Sequence, residues 1–81
     1  MKQLKISYKN IRDLYKLPKD LEILYCRGIQ LIKLPKLPDS LVQLDFSGNE
    51  LTVLPELPNS LEKLYCNNKN LKKLPKLPEK L

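Results

Sequence analysis

The sequence predicts a repeat solenoid, in which short coils of the chain stack side by side. Three observations lead to this prediction. Leucines recur in fixed columns when the chain is written in rows of twenty, as at Leu21, Leu41 and Leu61. Prolines recur with the same period, as at Pro38 and Pro58, and no insertion or deletion interrupts it. One coil cannot bury its leucines alone, whereas stacked coils can.

The period divides the 81 residues into complete units at 1–20, 21–40, 41–60 and 61–80, which we interpret as one domain, 1–81. Leu81 occupies the first column of a further unit, and neither end has an obvious polar cap. Terminal repeats usually need such caps, and open strand edges invite pairing. We therefore expect either a piece of a longer array or ends that another copy covers.

The first half of each unit predicts a short β-strand. The segment LVQLDF at 41–46 ends in alternating apolar and polar residues, which is typical of strands. Residues that favour turns follow, namely Gly28, Gly48 or the pair Asn67-Asn68. We expect the strands to form a parallel sheet on the concave side of the solenoid.

The second half of each unit predicts an extended return segment on the convex side. In LTVLPELP, at 51–58, leucines recur every three residues among prolines, and three residues per turn is the polyproline II period. Proline holds the backbone extended and removes a hydrogen-bond donor. One proline column holds Pro35, Pro55 and Pro75, but Tyr15 interrupts it in the first unit.

The pattern Leu-x-x-Leu-x-Cys/Phe-x-x-Asn-x-Leu-x-x-Leu-Pro-x-Leu-Pro resembles the leucine-rich repeat. Its twenty-residue length and LPxLP segment are similar to the short bacterial subtype found in secreted effector proteins of enteric pathogens. Cysteine-containing versions are similar to repeats in large DNA viruses of amoebae. The resemblance implies a curved solenoid whose concave sheet usually binds protein. Some family members also carry a ubiquitin-ligase domain, but no segment here matches that domain.

The resemblance further implies a structural asparagine in the ninth column, bonded to backbone groups of a buried turn. That column reads Lys9, Ile29, Asn49 and Lys69, so only Asn49 conforms. We expect Asn49 to be structural and the turns of the first and last units to be weaker.

The residue inventory argues against catalysis. Histidine is absent, and Cys26 and Cys66 fall in an inward, apolar column that raises the pKa of a thiol. Two strand spacings would separate them by about 10 Å, beyond the limit of about 7 Å for a disulfide. We expect free, buried, structural cysteines. We also expect no enzyme activity, no cofactor, no metal site and no small-molecule substrate.

The outward strand positions predict a binding surface, because tyrosine and arginine are enriched at interface hot spots. The alternative is that these residues only pair across strands. The predicted protein-binding residues are Ile23, Tyr25, Arg27, Gln43, Asp45, Lys63, Tyr65 and Asn67.

The net charge of +6 is unevenly distributed, because the terminal units are basic and the third is acidic. Lysines on the return segments could attract nucleic acid or an anionic membrane, or they could simply be solvated. We favour the solvated interpretation, because nucleic-acid sites usually interleave arginine and aromatic residues. The lysines concerned are Lys33, Lys36, Lys72, Lys73 and Lys76.

The leading hypothesis is therefore a non-catalytic module that binds a protein partner. The alternatives are a self-assembling homo-oligomer through uncapped ends and, third, a basic module that binds polyanions. No apolar run approaches the roughly 18 residues of a membrane span, and no signal peptide is evident. We expect a cytoplasmic or intracellular location, or the host cytoplasm for an effector or viral protein.

Overall fold

The computed structural model describes residues 2–68, 71, 75, 77–79 and 81. Four strands lie side by side in chain order in one parallel sheet. The strands are β1 (Gln3–Lys5), β2 (Ile23–Tyr25), β3 (Gln43–Asp45) and β4 (Lys63–Tyr65). Each strand pairs with the residues twenty positions later, so that Leu4, Leu24, Leu44 and Leu64 form one row. The predicted short parallel sheet is confirmed.

The same backbone hydrogen bonds recur from unit to unit beyond the strands. The N–H group of Cys26 donates to the carbonyl oxygen of Asp45 at 2.8 Å, and that of Phe46 donates to Tyr65 at 3.0 Å. Gly28 donates to Ser47 in the same way, and the bond from Gly48 to Asn67 repeats it. The twenty-residue offset of the sequence is therefore also the offset of the backbone ladder.

The core lies on one side of this sheet. Phe46 is the largest fully buried side chain, and Leu24 and Leu44 are completely covered beside it. Leu4 and Leu64 are only partly buried, because β1 and β4 each have one neighbouring strand among the described residues. Burial of a leucine contributes about 1.5–3 kcal/mol, so the central units carry more of the stability than the outer ones.

A second set of contacts links the turns at the ends of the units. The N–H group of Leu41 donates to the carbonyl of Pro38, closing a turn that recurs at Pro18, Pro58 and Pro78. Within these turns the hydroxyl of Ser40 donates to the carbonyls of Lys19 and Leu21 in the preceding turn. Ser60 donates likewise to Leu41 at 2.7 Å. These hydroxyls donate hydrogen bonds to backbone carbonyl groups in a proline-rich region, where proline itself has no N–H group to donate.

The first unit departs from the predicted extended return segment. Residues Tyr8–Tyr15 form a 3-10 helix that is interrupted at Asn10, where φ is −121° and ψ is 27°. In place of a proline, Tyr15 ends this helix, and the N–H group of Lys16 bonds to the carbonyl of Asp13 at 3.1 Å. A proline at position 15 would add a ring that restricts the residue before it to extended conformations. The uniform extended return was therefore a wrong prediction for this unit.

The glycine turns follow the prediction. Gly28 and Gly48 adopt positive φ angles of 60° and 73°, which glycine tolerates best. Gln30 also has a positive φ, of 58°, and the sequence did not indicate it. The weaker turn expected near Lys69 lies outside the described residues, as do Lys72, Lys73 and Lys76.

Candidate functional site

The strand register brings the predicted tyrosines onto one side of the sheet. Lys5 pairs with Tyr25, Tyr25 with Asp45, and Asp45 with Tyr65. We call this side, formed by the first and third residues of each strand, the outer face. Tyr65 is 50% exposed and Tyr25 is half-buried. A continuous row of polar and aromatic side chains therefore crosses all four strands.

Three further predicted residues also lie on or beside this face. Gln43 is half-buried, and Lys63 is exposed. Asn67 is exposed just beyond β4, where its N–H group approaches the hydroxyl of Ser47 at 3.4 Å. All three side chains are accessible to a partner to some degree.

Ile23, one of the predicted protein-binding residues, offers little surface to a partner. Only 9% of its surface is accessible. It lies between Gln3 and Gln43 in the register, and neighbours on both sides cover a side chain on a central strand. The outer face therefore presents tyrosine and charge, with little exposed isoleucine.

Asp45 is also less accessible than its outward position suggested. It is 7% exposed, and its Oδ1 accepts a hydrogen bond from the N–H group of Ser47 at 3.0 Å. Its Oδ2 lies 3.7 Å from Nε of Arg27, whose side chain is 73% exposed. A buried carboxylate needs such partners to offset its lost hydration. Asp45 is therefore largely covered, and it contacts Arg27 but offers little surface to a partner.

A depression of about 300 Å³ lies on the outer face beside Tyr25 and Arg27. Its floor includes Ile6, which is 2% exposed. Lys5 and Arg27 supply positive charge, and Tyr25 adds an aromatic surface. The complete lining consists of Gln3, Lys5, Ile6, Tyr25, Arg27 and Asp45.

The two cysteines are both free, but they differ in burial. Cys26 is fully buried, whereas Cys66 is only partly buried, which corrects the expectation of two buried thiols. Burial, and secondarily the negative charge of Asp45, raises the pKa of Cys26 from 9.0 to about 12. The thiolate is the nucleophilic form, so Cys26 remains an unreactive thiol at neutral pH.

Asn49 lies beneath the outer face and joins two units. Its Oδ1 accepts hydrogen bonds from the N–H groups of Ile29 at 2.9 Å and Leu31 at 3.0 Å. Its Nδ2 donates to the carbonyls of Cys26 at 2.6 Å and Phe46 at 2.8 Å. These bonds hold the turn that follows β2 against the turn that follows β3, and so they position Arg27.

Sequence reasoning missed several residues that shape the site. Lys5 and Gln3 line the depression but were not among the predicted binding residues, because the depression between strands depends on side-chain packing. Asn10 and Asn68 also bond to backbone carbonyls near the strand ends. Their proximity to the ninth column was the available signal, since asparagine commonly closes turns.

Among residues 2–68 and the described positions after them, no group of three or more His, Cys, Asp or Glu side chains is placed so that it could hold a metal ion. The same part of the chain contains no helix that is long and apolar enough to cross a membrane.

Comparisons with known proteins add no relative. No protein-family model matches the chain, and no curated protein or solved structure matches it either.

Proposed function

We propose that this chain is a leucine-rich-repeat solenoid of the short LPxLP type, which binds a protein partner through the outer face. The observation that carries the proposal is the row of Lys5, Tyr25, Asp45 and Tyr65 across four strands. Tyrosine supplies a large contact area at a small cost in side-chain entropy. A row of such residues, flanked by Arg27, suits recognition of protein.

The rigidity of the face also supports binding. Backbone ladders hold β2 and β3 on both sides, and the Asn49 side chain fixes the turns beyond them. A preformed surface loses little conformational freedom when a partner binds, so more of the contact energy appears as affinity.

We propose a non-catalytic role for the same face. The depression contains one carboxylate, Asp45, and that group already accepts from Ser47 and faces Arg27. Catalysis needs a free base or nucleophile beside a group that orients it. Arg27 and Asp45 instead form an ion pair, in which the cation is exposed and the anion is buried.

The proposal is tested by selecting binders from a peptide display library on the wild-type chain. We expect Tyr25→Ala and Tyr65→Ala each to weaken the selected binders by about 1–2 kcal/mol, a loss of roughly 5- to 30-fold in affinity. Tyr15→Ala is the matched control, because Tyr15 is 73% exposed and lies outside the sheet.

Binders that retain wild-type affinity for both variants, or that lose as much with Tyr15→Ala, would contradict the proposal. Light scattering over a range of concentrations accompanies the titrations. A mass that grows with concentration would instead favour the alternative, in which copies of the chain assemble.

A further inference from the structure

Positive charge around the depression is not matched by accessible negative charge. Lys5 and Arg27 both line it, and both are exposed. The acidic group of the lining, Asp45, is 7% exposed and engaged with Ser47 and Arg27. A ligand that approaches from solvent therefore meets two cations before it meets the anion.

Asp45 lies beside the guanidinium group of Arg27 and forms an ion pair with it. Its Oδ2 lies closest to Nε, at 3.7 Å, on the side of the group nearest the chain. The guanidinium carries five N–H donors in a planar fork, so the terminal amino groups remain for an external acceptor. That fork matches the two oxygens of a carboxylate.

We infer that the partner supplies an acidic, extended segment, with a glutamate or aspartate side chain inserted in the depression between Lys5 and Arg27. This inference rests on the proposed function and specifies the chemistry of the partner. The inserted side chain places its methylene groups against Tyr25 and its carboxylate on the two cations.

The depression has room for one inserted side chain, because its volume of about 300 Å³ reaches the range, roughly 300–1,000 Å³, of pockets that hold whole small molecules. Tyr65 lies two strands beyond Tyr25, a separation of about 10 Å at the usual strand spacing. About three residues of extended peptide cover that distance, so an apolar residue three positions from the acid would contact Tyr65.

The test uses a short fluorescent peptide with blocked ends. It contains glutamates, and one leucine lies three positions from the glutamate that is to enter the depression. A second peptide has every glutamate replaced by glutamine. We expect the glutamate peptide to bind about tenfold more tightly, since hydrogen bonds between charged groups exceed neutral ones. Fluorescence anisotropy measures both affinities.

Variants of the protein locate the contact. Arg27→Gln should weaken the glutamate peptide by about tenfold, and Arg27→Lys should weaken it less because it keeps charge but loses the planar fork. Lys5→Gln tests the second cation and leaves the ion pair between Arg27 and Asp45 unchanged. Lys33→Gln is the matched control, because it removes the same charge from an exposed position outside the sheet.

Three outcomes would overturn the inference. The first is equal binding of the two peptides, and the second is failure of the glutamate peptide to bind. The third is an equal loss with Arg27→Gln and Lys33→Gln, which would show attraction by net charge alone. If library binders still depend on Tyr25 and Tyr65 in any of these cases, the proposed function survives with a non-acidic partner.

Discussion

Asn49 and Asn10 each close a turn, and they use different partners. Asn49 is buried and bonds to Ile29, Leu31 and Cys26 of the preceding unit. Asn10 bonds only within its own unit, accepting from the N–H group of Ser7 at 2.6 Å and donating to a carbonyl five residues earlier. The Asn49 turn connects units, whereas the Asn10 turn closes on itself.

The path of the chain also differs around the two asparagines. An asparagine in the ninth column reaches inward to the preceding unit, and the following segment, 51–58, contains no helix. Asn10, in the tenth column, bonds locally and lies within the 3-10 helix Tyr8–Tyr15. The third unit gains its stability from contact with a neighbour, and the first unit gains less from such contact.

Removing the Asn49 amide should have the largest effect. Asn49→Ala would leave the N–H groups of Ile29 and Leu31 and the carbonyl group of Cys26 without these partners in the interior. Each unpaired buried group costs about 1–3 kcal/mol, so we expect a loss of about 3–5 kcal/mol in the free energy of unfolding, measured by urea titration. Asn59→Ala, at an exposed position of the same unit, should change it by less than about 0.5 kcal/mol. Equal effects of Asn49→Ala and Asn59→Ala would mean that the bonds of the Asn49 amide do not stabilise the contact between units.

Alkaline pH should weaken the contact between the second and third units. The pKa of Cys26 is about 12 in the folded chain against 9.0 for an ordinary thiol, so the folded state retains a proton that the unfolded state loses. Stability should therefore be unaffected below pH 9 and fall between pH 9 and 12, by at most about 1.4 kcal/mol per pH unit.

The Cys26 contribution is isolated by comparison with Cys26→Ala. Unfolding titrations at several alkaline pH values are performed on both proteins, because lysine and tyrosine also ionise there. If the difference in stability between the two proteins stays constant over this range, the Cys26 thiol is not protected by burial.

The smallest expected effect belongs to the first unit. Asn10→Ala removes bonds to Ser7 and Lys5 that lie in exposed surroundings, where water can replace them. We expect a loss of about 0.5–1.5 kcal/mol, measured by urea titration beside Asn49→Ala. A loss as large as that of Asn49→Ala would mean that local closure matters as much as contact between units.

The strand positions could be predicted because the period is regular. Leu24 and Leu44 occupy the same column, and parallel pairing places such residues side by side in every unit. The outer face was predictable for the same reason, since Tyr25, Asp45 and Tyr65 alternate with leucines. Burial on that face was not predictable. Ile23 and Asp45 are covered by residues twenty positions away, and alternation describes only which side a residue faces.

By itself, the sequence determined the twenty-residue period, the parallel order of the strands and the side of the sheet on which each strand residue lies. Those properties follow from local patterns of leucine, proline and glycine that repeat. Only the tertiary structure decided that Asp45 supports Arg27, that Cys66 is less buried than Cys26, and that the first unit forms a 3-10 helix. These features depend on which side chains of neighbouring units fill the space around a group, and that packing is set between units.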